Sequence, residues 1–187
     1  MRKIIVLIIL VLLTYIDTFG QGYLSSYRSK DSKVVGISLS KGENNIGATG
    51  VFGYHVIDKF SINLNGGFRK FTLRDYSENI TEVGLEGIYM VYDINERYLR
   101  SNLFSGFNVS LGFGVTTEFV TNTSDIILAE DYPQLYYGTA ALYVETSIYE
   151  NLKIVAHFKQ WYAINSKDDI IGKNRYDLGL GLRYYFN

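Results

Sequence analysis

Glu82 and Glu86 lie four positions apart, so in a strand, where side chains alternate between faces, both point the same way. The same alternation, applied along the chain, turns Glu145, Lys159 and Arg183 toward the inside of whatever the strands enclose, together with Arg69. Carboxylates and cations facing one another in a confined space can do one of two things. They line an aqueous path as the movable charges of a gated pore, or they neutralise one another as a fixed ion-pair plug. The plug is favoured wherever the enclosed space is only wide enough for side chains to fill.

Other chemistry is weakly supported. The chain has two histidines, His55 and His157, far apart in sequence and without a flanking His, Asp or Glu at ligand spacing, so no metal site is expected. His157 shares a strand face with Lys159. Barrels that modify lipid A pair a histidine with a serine or an acid, and here Lys159 occupies the position such a serine would take. Gly179, Gly181 and Arg183 begin like a dinucleotide fingerprint, but a third glycine is missing and no helix follows. The sequons at Asn79, Asn108 and Asn122 are read as chance matches. Cysteine is absent, which removes disulfides, thiolate metal sites and an acylated cysteine anchor. A net charge of −1 offers no basic footprint for nucleic acid. The expectation is a protein that is not an enzyme, with no cofactor, no direct nucleic-acid partner and no evident small-molecule substrate.

The elements that must position these residues begin after residue 20. Arg2 and Lys3 precede an unbroken apolar run at residues 4–13, and Thr18 and Gly20 provide small residues for cleavage between Gly20 and Gln21. That run is about half of the roughly 20 residues a spanning helix needs, so it reads as a bacterial export signal. Residues 21–187 then form one domain. Hydrophobicity repeats there with period two, predicting strands at 33–41, 46–56, 60–72, 80–92, 99–115, 134–148, 152–164 and 175–186. Several match the roughly 9 to 11 residues that cross a bilayer at a tilt.

Two segments show the design most clearly. In the fifth, Phe107, Val109, Leu111, Phe113 and Val115 fall opposite Asn108, Ser110, Gly112 and Gly114. In the last, Tyr176, Leu178, Leu180, Leu182, Tyr184 and Phe186 fall opposite Asp177, Gly179, Gly181, Arg183 and Tyr185. Aromatics at both ends with leucines between form a membrane girdle, and 17 Tyr with 18 Gly suit girdles and a crowded lumen. A soluble barrel of the lipocalin type also alternates, but its polar face meets water and favours Lys, Glu and Thr over Gly, Asn and Ser. The prediction is therefore all-β: an eight-stranded antiparallel transmembrane β-barrel of the outer-membrane type, with outer-membrane lipid as its immediate partner.

With both termini periplasmic, turns at 57–59, 93–98 and 149–151 are expected to be short, and external connections at 73–79, 116–133 and 165–174 longer, with only 42–45 short. The sole proline, Pro133, ends the longest of these, where it breaks no ladder bond. That connection carries an apolar cluster, Ile126, Ile127 and Leu128, flanked by Asp125, Glu130 and Asp131, and it is the expected surface for any partner. The alternative is that the cluster packs over the barrel mouth or extends the flanking strands.

From Glu86 onward, Glu86-Gly87-Ile88-Tyr89, Asp93-Ile94-Asn95-Glu96-Arg97, Gly112-Phe113-Gly114, Tyr137-Gly138 before Val144-Glu145-Thr146, and Leu178-Gly179-Leu180-Gly181-Leu182-Arg183 occur in that order. In this the chain resembles the TraO family of conjugative-transposon proteins of Gram-negative bacteria. Ile88 and Val115-Thr116-Thr117-Glu118 differ from the Glu-Gly-Gly-Tyr and Gly-Tyr-Glu stretches of that family. The resemblance implies an accessory outer-membrane component of a DNA-transfer apparatus, with other transfer-apparatus proteins as partners and no catalytic residues. The competing expectation is a small outer-membrane protein acting alone, as a narrow channel or a surface-loop adhesion module.

Overall fold

A computed structural model of the chain describes residues 30–73, 76–94, 105–123, 134–149, 151–164 and 174–186. They form β1 (Lys33–Gly42), β2 (Asn45–Ile57), β3 (Phe60–Leu73), β4 (Tyr76–Ile94), β5 (Ser105–Thr123), β6 (Gln134–Tyr149), β7 (Leu152–Ala163) and β8 (Asn174–Phe186). Each strand pairs antiparallel with its sequence neighbour. β1 also pairs with β8, from Lys33 opposite Phe186 to Gly42 opposite Asp177, so the sheet closes into an eight-stranded barrel. Closure pairs every strand on both sides, which an apolar environment requires because it offers no water to an open edge. No helix among the described residues is long and apolar enough to cross a membrane.

The distribution of side chains separates this barrel from a soluble one. Leu39 and Leu180 are each 65% exposed, whereas Glu118 and Glu145 are fully buried. A lipocalin-type barrel would place leucines inside and charges out. Here the core is the charged face, and the apolar clusters within it are small: Ile88, Ala141, Tyr143 and Val155 in one, Leu135, Tyr137 and Trp161 in another.

Strand boundaries differ from expectation mainly in β5, which runs to Thr123 instead of ending at Val115. Thr116, Thr117 and Glu118 look like the start of a loop because they are polar in succession. The period of two nevertheless continues, with Thr116 and Glu118 buried and Phe119 outward, and Glu118 pairs with Leu135 of β6. Likewise β3 and β4 meet as a hairpin, Leu73 opposite Tyr76, where a longer connection was expected. The longer connection expected at 73–79 is thus replaced by a tight one. Residues 95–104, 124–133 and 165–173, which hold most of the connections expected at 93–98, 116–133 and 165–174 and the expected start of the fifth strand, lie outside the described residues. In the tight β2–β3 turn, Lys59 takes a left-handed φ of 69°, a conformation that costs a residue with a Cβ more than it costs glycine.

Candidate functional site: the charged lumen

Toward the end away from the termini, Arg69 of β3 is the hub of the lumen. Its guanidinium donates to Glu82 Oε2 at 3.1 and 3.3 Å and to Asn45 Oδ1 at 2.6 Å. It also forms an ion pair with Asp177 Oδ2 at 2.7 Å and stands 3.9 Å from Glu118 Oε1. One cation thus joins residues of β2, β3, β4, β5 and β8. Asp177 Oδ2 accepts a further bond from Trp161 Nε1 at 2.8 Å, and Glu82 Oε1 accepts one from Thr49 Oγ1 at 2.7 Å. Arg175 pairs with Glu118 and lies 4.5 Å from the Trp161 ring centroid and 4.6 Å from that of Tyr137. Arg69 also lies over the tryptophan ring, 4.9 Å from its centroid.

Lower in the lumen the contacts gather around Glu86 and Glu145. Glu86 Oε2 accepts a bond from the Tyr143 hydroxyl at 2.6 Å and a longer one from Asn65 Nδ2 at 3.4 Å. Lys159 Nζ stands 3.5 Å from Glu86 Oε1, an ion pair without a well-formed hydrogen bond. Nearer the termini, Arg183 donates to Glu145 Oε1 at 2.6 Å, and the Tyr185 hydroxyl donates to Glu145 Oε2 at 2.8 Å. Lys153 lies 5.3 Å from the Tyr185 ring centroid. The Asn108 amide sits between Asp93 and Lys153, and the orientation that satisfies both has its oxygen accepting from Lys153 Nζ at 2.9 Å.

These side chains leave little space. A cavity of about 30 Å³, bordered by Ser40, Thr49, Asn65, Glu82, His157 and Lys159, has room for little more than a buried water. The inward glycines are part of this filling. A Cβ on Gly112 would lie 2.7 Å from Glu86 Oε1 and 2.9 Å from the Tyr143 ring, and one on Gly179 would overlap the His157 ring. In this lumen glycine is required by the volume of its neighbours.

Among the sequence-predicted residues, Arg69 is brought to Glu82, Lys159 to Glu86 and Arg183 to Glu145. Arg175, Asp177, Glu118, Lys153 and Trp161 join these six candidates in the lumen. Asp177 was already assigned to the inward face. Carrying the β5 alternation past Val115 would have added Glu118. Gly20 and Gln21, and the cluster Ile126, Ile127 and Leu128, lie outside the described residues.

His157 faces the lumen beside Tyr143, with ring centroids 5.8 Å apart. At the terminal end, Ser32 Oγ is 3.0 Å from His55 Nδ1. A serine beside a histidine is the minimal form of an activated nucleophile, but Ser32 is only 1% exposed, which denies a substrate access to its hydroxyl. Among the described residues no group of three or more His, Cys, Asp and Glu side chains stands where it could hold a metal ion.

No family model matches the chain, and no curated protein matches it. Solved structures do. The N-terminal β-barrel domain of Pseudomonas aeruginosa OprF superposes with a TM-score of 0.59 at 16% identity, over 84% of this chain and 98% of that domain. Neisserial surface protein A superposes with a TM-score of 0.51 at 13% identity, over 83% of this chain and 96% of that protein. At such identities the likeness concerns the fold, which is that of small outer-membrane barrels.

Proposed function

We propose that this chain is an exported, non-catalytic outer-membrane protein whose lumen is a fixed ion-pair plug and whose external connections bind its partners. The observation that carries this reading is the pairing of buried lumen charges around a cavity of only about 30 Å³, inside a barrel whose outer face is leucine, valine and aromatic. A lumen so filled and cross-linked supports a structural scaffold more than a conduit. The buried Ser32–His55 contact and the displacement of serine by Lys159 beside His157 support the absence of catalysis. The basic, apolar and small-residue order before Gln21 supports export with cleavage after Gly20.

The resemblance to the TraO family supports a role as an accessory component of a conjugative DNA-transfer apparatus, with transfer-apparatus proteins docking on the external connections. The test has two steps. Mature protein should begin at Gln21, fractionate with outer membranes, resist carbonate and urea extraction, and show heat-modifiable gel mobility. Deleting residues 124–130 should then leave the barrel assembled and lower mating frequency. Unchanged mating by an assembled deletion would favour a small outer-membrane protein acting alone, and recovery in the soluble periplasm would remove the membrane reading altogether.

A further inference from the structure

We propose that the outward face running from β6 through β7, β8, β1 and β2 to β3 carries a site for a phosphorylated, multiply acylated glycolipid of the outer leaflet. The inference rests on the outer-membrane reading above, with both termini toward the periplasm. On β1 the outward residues Val35, Ile37 and Leu39 are bounded by a lysine at each end, Lys33 and Lys41. Cations on the lipid face are costly at mid-depth and tolerated near an interface, so these lysines mark the edges of the apolar band. At the edge away from the termini, Lys41 pairs with Ile46 and Ile46 with Lys70, which puts Lys, Ile and Lys in one row across adjacent strands. Alternation turns all of them outward. The lysines are two strand spacings apart, roughly 10 Å.

Below this row lie two grooves. One, of about 400 Å³, has Ala48 as its floor between Leu39 and Phe68 and is topped by Ile46, Lys70 and Asn79. The other, of about 660 Å³, has Ala156 as its floor between Val144 and Leu180 and reaches Lys41. Register explains the shape. Val144, Ala156, Leu180, Leu39, Ala48 and Phe68 are successive partners in a single row, so each alanine makes a trough and Leu180 with Leu39 makes the ridge between them.

Neither Lys41 nor Lys70 has an ion-pair partner among the described residues, and Glu43 lies at the hairpin tip beyond the row. Two cations at the head of paired apolar grooves match a ligand with an anionic head and several acyl chains. The phosphates would sit at Lys41 and Lys70, with chains on either side of the Leu39 ridge. A single-chain or uncharged lipid would use one trough or forgo the lysines.

The test is native mass spectrometry of the mature protein folded in detergent, with fold checked by heat-modifiable mobility. The probes are bis-phosphorylated lipid A, dephosphorylated lipid A and phosphatidylglycerol. Wild type should retain bis-phosphorylated lipid A about tenfold or more better than the other two lipids, and better than a Lys41→Gln/Lys70→Gln variant retains it. Lys33→Gln, at the opposite edge, should bind as wild type. Equal retention of dephosphorylated lipid A or phosphatidylglycerol by wild type would overturn the proposal, and so would undiminished binding by a folded double variant. The lipid comparison on wild type keeps the test decisive if that variant fails to fold. Failure of the wild type to form a heat-modifiable barrel would instead sink the membrane reading on which the site rests.

Discussion

Arg69 and Arg183 are both buried arginines facing carboxylates, yet they are held differently. Arg69 reaches Glu82, Asp177 and Asn45 and stands near Glu118, joining strands that are far apart in sequence. Among the described residues Arg183 forms an ion pair with one carboxylate, Glu145, which is shared with the Tyr185 hydroxyl. Both arrangements keep charge out of lipid and out of an apolar void. Only the first ties β2, β3, β4, β5 and β8 through one side chain, so its loss strips both Glu82 and Asp177 of their arginine, whereas Glu118 keeps Arg175. The difference teaches that one buried cation can serve as a multi-strand cross-link while another serves a single ion pair.

Substitutions can break or sharpen that contrast. Arg69→Ala strands Glu82 and Asp177 together and should cost about 5 kcal/mol of stability in denaturant unfolding from micelles. Glu145→Ala leaves one buried arginine unpaired and should cost about 3 kcal/mol in the same assay, with unfolding still cooperative. If the two losses were equal, the hub would be no more than another pair. Gly112→Ala, which drives a methyl against Glu86 and Tyr143, should cost about 2 kcal/mol. Gly50→Ala is the matching change on the outer face, where the added methyl meets only the Gly66 carbonyl oxygen at 3.6 Å; it should stabilise by about 0.5 kcal/mol through the unfolded chain. A similar loss at both glycines would show that their two faces do not differ as described.

The barrel class was legible because alternation is a local property. The Leu178 to Arg183 stretch states inside and outside residue by residue, and β8 keeps that assignment in three dimensions. The inward facing of Glu82, Glu86, Glu145, Lys159 and Arg183 follows from the same parity. Their partners do not, because pairing across a lumen depends on register and stagger around a closed sheet. Arg69 and Asp177 are joined at 2.7 Å although more than a hundred residues lie between them. The end of β5 is hidden by its polarity: Thr116 and Glu118 look like a loop but are polar because they face the lumen charges. Trp161 shares the inward parity of Lys159, but its contacts with Arg69 and Arg175, like the other pairings across the lumen, depend on how the sheet closes.

The central claim is that these charges form a closed plug, and planar-bilayer conductance tests it most directly. Purified, heat-modifiable wild-type barrel reconstituted in concentrated potassium chloride should give no discrete conductance steps, while Arg69→Ala, if it assembles, should give small, noisy openings. Regular unitary steps from the wild-type protein, abolished by substitutions at Glu86 or Arg183 that leave the barrel folded, would contradict the plug and make the lumen a conducting path.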